Sequence, residues 1–555
     1  MNLLILASSY LIILISIIGY SLFFYRISKN NINLEFEFSL LGSLLFLIFI
    51  SFLTHLFTNH GYIHNLIVLF LGIIFFLFNL VKEKKLLNNH FPYICLVFII
   101  LFFALLTDKT HDDFPYYHFP YTYYLTQDKL IIGTGTFNHG FRTPSSIFYL
   151  NSLFYLPFIK YFSFHFGATL IFGISNLILI FRLKDDLKNN KFDFLFVLTA
   201  LSFLFINVFF YRISEHGTDR SAQILIFILF IEILSLSRNQ IIYKKFFSKT
   251  FILLGLIISL KAFYVLYLLV LIPIFLKIKD RNFSQIFKNF LRNIYFYLFV
   301  SVGLLLITIN IFNSGCFLYP VSFTCFNNFE WSLSNEAKIM NNWYELWSKA
   351  GASPTNRVED PENYIQGFNW LQNWFSIYFF NKVSDFLSGV IFLLLVFSLT
   401  FFPKIKDNIF IDKNILWVYA VLVILFLEWF YNHPTLRYGG FALIALIIFI
   451  PYSIFFSKFD LNKNIRIKII FLLSLSLIIF ISRNIHRISN EVEKYNYMPI
   501  SNSFYRVGSN DLRVDIFIKE MKRIYQNCND KSKCSIDDSI SVFKKNNYYY
   551  LVKNR

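Results

Sequence analysis

Charge is scarce in this 555-residue chain: 15% of its residues are Asp, Glu, Lys or Arg, where a soluble domain uses about a quarter to cover its surface. With 56% apolar and 21% aromatic residues, that scarcity excludes a water-soluble protein. It equally excludes a disordered chain, which needs low hydrophobicity. The bilayer is the solvent this composition fits. The chain also lacks a Walker loop, a dinucleotide fingerprint and any internal repeat, so neither an NTPase nor a solenoid is expected. Acid is scarcer than base, 33 residues against 51, for a formal net charge of +18. In a soluble protein that excess would suggest nucleic acid; in a membrane chain its placement decides its meaning.

Apolar runs of about 17–25 residues are long enough to span the hydrocarbon core. The pattern predicts spans at 3–24, 38–57, 63–81, 92–107, 164–182, 193–211, 222–236, 251–276, 294–313, 386–402, 415–431, 439–456 and 468–483. Seven short connectors between them hold 25 of the 51 basic residues, among them Lys82, Lys84 and Lys85, and Lys458, Lys463, Arg466 and Lys468. The positive-inside rule assigns these loops to the cytoplasm. Loops 108–147, 212–221, 314–385 and 432–438, and a tail from 484, then lie outside. Most of the +18 is thus an orientation code, and no nucleic-acid partner is expected.

Two stretches need special treatment. Residues 251–276 begin and end at basic loops, which predicts a hairpin of two half-spans with Lys261 near its outer tip. For 146–163 the charge pattern leaves the number of crossings open and allows the first half to lie along the outer surface as an interfacial helix. The first segment has no basic residue before its apolar run and no small-residue cleavage site, so it does not read as a secretory signal. The expected class is an all-α polytopic membrane protein of about 13–14 transmembrane helices. Its parts are an N-terminal group of helices over 1–91, a transmembrane core over 92–483 and a small extracytoplasmic tail over 484–555.

Cysteine is rare, with five in the chain. Cys95 lies in a span, where an inert buried thiol is expected. Cys316 with Cys325 and Cys528 with Cys534 form two close pairs in segments assigned outside, where disulfides persist, and neither pair has zinc-site spacing.

Polar chemistry gathers in the outer loops. Asp108-Lys-Thr-His-Asp-Asp-Phe-Pro-Tyr-Tyr-His places His111, Asp112, Asp113 and His118 directly after a span. Paired carboxylates there suit a general base or a divalent metal; aspartates capping the next helix are the structural alternative. Arg212-Ile-Ser-Glu-His-Gly-Thr-Asp-Arg carries Glu215, His216, Asp219 and Arg220 on a loop too short to wander; either its carboxylates complete an acidic centre or it is a polar turn with Asp219 capping the next helix. Lys261 stands in an otherwise apolar stretch, where an ionisable group is costly and functional by default; snorkelling to the interface is the alternative. Glu428-Trp-Phe-Tyr-Asn-His-Pro-Thr-Leu-Arg-Tyr adds His433, Arg437 and Tyr438, and an arginine fork fits a phosphate. The tryptophans of 314–385 suit a helix lying at the interface.

In this order and sidedness the motifs resemble the GT-C superfamily of polytopic glycosyltransferases, which includes oligosaccharyltransferases, protein mannosyltransferases and the aminoarabinose transferases of lipid A. Asp112-Asp113 match the acidic motif of that class's first large outer loop, and Asp219 its second acidic position. Gly255-Leu-Ile-Ile-Ser-Leu-Lys261 is similar to its Gly-Leu…Thr-Lys segment, Arg437-Tyr438 to a late Arg-Tyr entering a span, and Asn313-Ser-Gly-Cys-Phe-Leu-Tyr-Pro320 to the turn opening the late outer loop. The resemblance covers about 92–456. Three extra spans precede the usual first one, and Phe-Pro-Tyr-Tyr-His after the acidic pair fits no defined family.

The resemblance implies a bacterial cytoplasmic-membrane enzyme of cell-envelope glycan synthesis with its site facing outside. A polyprenyl-phosphate-type sugar donor would react with an acceptor hydroxyl of unknown identity, on a glycan, lipid or protein. Asp112 or Asp113 would act as base; His111, His118, Glu215, His216 and Asp219 would support it, and Lys261, His433, Arg437 and Tyr438 would hold the donor phosphate. Some members need a divalent metal, so Mg or Mn on Asp112, Asp113 and Asp219 stays open. A polysaccharide polymerase or ligase is the competing enzyme class, resting on Arg437 and His433 alone. A lipid or glycan flippase is the non-enzyme alternative, though it would be expected to show repeats and more buried charge than Glu232 and Glu428 provide.

Overall fold

A computed structural model describes residues 2–29, 32–237, 243–278, 290–353, 358–401, 404–405, 413–457, 459–460, 464–505, 519, 534–537 and 540–553. In a bilayer every backbone N–H and C=O must bond within its own segment, so apolar runs become helices. Among the described residues nine helices are long and apolar enough to cross a membrane, from Asn2–Lys29 at the start to Ile465–Tyr495 at the end. Phe194–Phe209, Ala262–Lys277 and Gly440–Phe456 are shorter apolar helices. The chain is an α-helical, multi-pass integral membrane protein.

The helices nearest the site are among the most enclosed. Phe194–Phe209 and Asp219–Leu234 bury nearly every residue, whereas Tyr62–Leu80 leaves Ile63, Phe70, Leu77 and Phe78 exposed, a surface suited to lipid. At one end of the bundle, buried Glu232 takes Arg182 and, at 3.1 Å, Lys249; Lys249 also reaches Glu35 at 2.9 Å. This charged staple joins helix ends that carry the basic connectors.

The stretch 251–276 does double back. The helix Tyr243–Leu260 stops where Lys261 turns extended, with φ −156° and ψ 120°. A 3-10 segment, Ala262–Val270, and a short helix, Leu271–Ile278, return the chain until the Lys277 ammonium bonds the carbonyl of Leu236, just past the end of the helix Asp219–Leu234. Lys261 therefore sits at the far tip.

The stretch 146–163 differs from a surface-lying helix. Ser146–Ser152 is a seven-residue helix with every residue buried. Its polar groups explain why: Ser145 Oγ donates to the Leu260 carbonyl at 2.5 Å, Ser146 Oγ accepts from Ser259 at 3.0 Å, and Asn65 Nδ2 donates to the carbonyls of Ser152 (2.8 Å) and Tyr155 (3.0 Å). These bonds cap the end of the Tyr243–Leu260 helix and satisfy an irregular backbone inside protein, the place where a membrane protein tolerates one.

Two features depart from an all-α chain. Lys404–Ile405 pairs with Phe459–Asp460, and the tail forms a three-stranded antiparallel sheet, Cys534–Asp537, Ile540–Lys545 and Tyr548–Lys553. Asn546 and Asn547, both at positive φ, make the tight turn between the last two strands. The final strand docks on the first polar loop, where Ile132 N–H donates to Tyr549 at 2.9 Å and Leu551 N–H donates to Ile132 at 2.8 Å. Cys316 and Cys325 are joined as a disulfide, and Cys95 is free. Cys528 lies outside the described residues, so the second expected pair does too.

Candidate functional site

Four charged side chains from four separate segments meet at the end of the bundle opposite the Glu232 staple. Asp113 ends the loop after the helix Lys84–Ala104, and its carbonyl accepts from the amides of Tyr116 and Tyr117 at 3.2 and 3.1 Å as the chain enters the π-helical turn Phe114–His118. Asp219 opens the helix Asp219–Leu234, where the helix dipole favours a carboxylate. Lys261 stands at the helix break described above. Arg437 lies in the 3-10 turn Leu436–Tyr438, which Gly439, at φ +111°, joins to the helix Gly440–Phe456.

The arginine is the hub. Its Nε donates to Asp219 Oδ2 at 2.9 Å, its Nη2 bonds Asp113 Oδ2, and the other Asp219 oxygen takes the Lys261 ammonium. Two carboxylates and two cations thus form one continuous neutral chain. Exposure separates their roles: the Asp219 side chain is 6% exposed, against 28% for Asp113, 27% for Lys261 and 30% for Arg437. Asp219 is the buried anchor, and the other three face open space. The Lys261 ammonium also lies 4.3 Å from the centre of the Tyr438 ring, and Trp347 packs on that ring's neighbourhood at 5.7 Å.

The turn that carries Arg437 is held on every side. Trp374 and Trp429 donate their indole N–H groups to the carbonyls of Pro434 and Thr435, each at 2.9 Å, and the Leu436 amide donates to the Tyr378 hydroxyl at 2.9 Å. Gln223, four residues after Asp219 on the same helix face, donates to the Arg437 carbonyl at 2.9 Å and accepts from the Ala442 amide at 3.1 Å. Its polarity inside an apolar helix, one turn from Asp219, was the signal that could have marked it.

Burial raises the Asp113 carboxyl pKa, but the Arg437 guanidinium, aided by His111 and His118, outweighs it and holds the group below its usual range. Burial acts the same way on Asp219, and Lys261 with Arg437 overcomes it still further. Burial keeps His433 neutral, pushing it down to about 4, with Lys261 adding to the effect.

The remaining expected residues divide. His111 Nδ1 accepts the Asp113 amide at 3.0 Å and its ring stacks 5.7 Å from His118; burial lowers the pKa of both. Gly217, at φ +52°, lets the second loop close on His118, since a Cβ there would stand 3.0 Å from the imidazole. His433 packs on Phe263 and Tyr438. Asp112 is exposed and, among the described residues, makes no ion pair. Glu215 does not complete the acidic centre: it takes Arg487 at 3.2 Å, Arg212 at 3.5 Å and Arg220 at 3.8 Å. His216 donates from Nε2 to the Phe210 carbonyl at 2.6 Å and serves its own loop. Arg487 also donates to the Lys109 carbonyl at 2.8 Å, and Glu491 accepts the Asp108 amide at 2.6 Å, so the last long helix clamps both acidic loops. Among the described residues no group of three or more His, Cys, Asp or Glu side chains is placed to hold a metal. Asp113 and Asp219 are instead bridged by a guanidinium, a donor set that does not fit Mg or Mn.

Beside Arg437 opens a groove of about 350 Å³, walled by Phe209, Tyr378, Phe386 and Phe441 with Lys382 and Asp385 at its polar positions. Apolar walls that reach an arginine suit an amphiphile with an anionic head.

The fold and this centre define a polytopic membrane protein with an ionic site, anchored on buried Asp219, at one end of its bundle. Residues 1–444 match the model of a family described as Domain of unknown function (DUF8201), and the chain belongs to that family. The match takes in Asp113, Asp219, Lys261 and Arg437. No curated protein and no solved structure matches the chain.

Proposed function

We propose that this protein is a membrane glycosyltransferase of GT-C type, with about 13–14 crossings, that moves a sugar from a polyprenyl-phosphate-type lipid to an acceptor hydroxyl. The site faces outward from a bacterial cytoplasmic membrane in this reading, because the basic connectors lie at the other end. The observation that carries the proposal is the position of Arg437, which links the carboxylate centre to the apolar groove.

The donor's isoprenoid chain lies along the groove, and its phosphate meets Arg437 and Lys261. Before the donor arrives, Arg437 stabilises ionised Asp113 and makes it a weak base. A phosphate that competes for the guanidinium removes that support, so Asp113 becomes more basic when the donor is in place. Asp113 then takes the acceptor O–H proton, the acceptor oxygen bonds the anomeric carbon, and the carbon–phosphate oxygen bond breaks with its electron pair leaving on the lipid phosphate. Lys261 and Arg437 meet the developing charge. Asp219 fixes both cations throughout.

The test is native mass spectrometry of protein purified from its own membranes. Wild type is expected to carry a polyprenyl phosphate or its glycosylated form, and Arg437→Gln to lose it. Equal lipid occupancy in the two proteins, or none in wild type supplied with polyprenyl phosphate, would overturn the reading.

A further inference from the structure

Arg142 differs from the other described cations around the site. Lys261 and Arg437 are paired with Asp219 and Asp113, and Arg212, Arg220 and Arg487 each contact Glu215, Arg487 also Glu491. Arg142 has no carboxylate within ion-pairing distance among the described residues. Its Nε donates to the Gly135 carbonyl at 2.9 Å and its Nη1 to the Tyr319 hydroxyl at 3.0 Å, which leaves Nη2 without an acceptor among the described residues. The acid facing it, Glu336, is engaged by Lys553 at 2.6 Å.

The side chain is nonetheless fixed. The Tyr319 ring lies 5.7 Å from the guanidinium and is itself 2% exposed, in the loop closed by the Cys316–Cys325 disulfide. Gly135 permits the contact, since a Cβ there would meet the Asn313 carbonyl at 2.7 Å and Arg142 Cγ at 2.9 Å. An arginine held in place, half-buried and unpaired has lost side-chain freedom in advance, which favours binding of an anion that completes it.

Its turn is tied to the loop of the candidate base. His139 Nδ1 bonds the Tyr116 hydroxyl at 2.6 Å, Asn138 donates to the Tyr116 carbonyl at 3.3 Å, and the Tyr116 amide donates to the Asp113 carbonyl. Tyr344, half-buried on the helix Ser334–Lys349, lies within electrostatic reach of Arg142, Tyr116 and Asp113 together. Arg142 and Asp113 therefore lie near the same two tyrosines, Tyr116 and Tyr344.

We infer that Arg142 is a binding residue for an acidic group, phosphate or carboxylate, on the acceptor, and that this protein modifies an anionic acceptor. The anion site stands on its own geometry; its assignment to the acceptor rests on the transferase reading.

Phenylglyoxal labelling of the full-length protein, read residue by residue by peptide mass spectrometry, tests it. Arg142 is expected to react in the free protein and to be protected by inorganic phosphate or by acetate at millimolar concentration; the anion that protects identifies the acidic group. In transfer assays Arg142→Gln is expected to raise the acceptor KM about tenfold, the loss of one charge-assisted hydrogen bond, with donor KM unchanged and partial rescue by Arg142→Lys. An Arg142 that no anion protects overturns the inference, even where Asp113→Asn abolishes transfer and the transferase reading stands. Protection of Arg142 in a protein that transfers no sugar keeps the anion site and removes the acceptor assignment.

Discussion

At the scale of single residues, one arginine sets the protonation of the site. Because Arg437 and its neighbours hold Asp113 and Asp219 below the ordinary carboxylate range, the stability they confer is fully present above the unfolded value of about 4 and lost as pH falls through their folded values. Thermal unfolding in detergent is expected to weaken below about pH 4 in wild type. In Asp219→Asn that acid limb should be smaller, on a protein already destabilised by about 3 kcal/mol because a buried pair has lost one partner. An unchanged acid limb in the variant contradicts this assignment. Asp113, Asp219, Lys261 and Arg437 were legible in the sequence because each is a charge set against an apolar run. Arg142 was not: it sits in a polar loop, and its meaning comes from Tyr319, 177 positions away.

At the scale of elements, the break at Lys261 and the Arg437 turn carry the geometry. The hairpin was legible because basic loops flank both its ends. The buried helix Ser146–Ser152 was not, since its aromatic and aliphatic residues suit an interface as well as a core. Only the partners of Ser145, Ser146 and Asn65 decide between them. Glu215 was misplaced for a similar reason: a loop shows which acids are near in sequence, but Arg487, some 270 residues later, determines where this one points. Gln223 is the element-level positioning residue. Gln223→Leu removes the grip on the Arg437 carbonyl and the Ala442 amide and is expected to lower turnover at least tenfold with folding retained, whereas Gln223→Glu, which keeps the acceptor for Ala442, should recover part of it. Equal activity of Gln223→Leu and wild type would remove that role.

At the scale of the whole molecule, the Glu232 cluster with Arg182 and Lys249 occupies one end of the bundle, and the ionic site and docked tail sheet the other. That division was readable from charge placement, because the membrane imposes it on every loop; the tail sheet was not read from the sequence, and the structure supplies it. An impermeant maleimide applied to intact cells is expected to label Glu359→Cys and not Asn189→Cys, and the reverse result would invert the topology. The most direct test of the central claim is glycan analysis of cells whose only copy of the chain is wild type, Asp113→Asn or Asp112→Asn, with expression matched. A sugar present with wild type and with Asp112→Asn, and reduced at least a hundredfold with Asp113→Asn, is the expected result for loss of a general base. Wild-type glycan in the Asp113→Asn cells would contradict it.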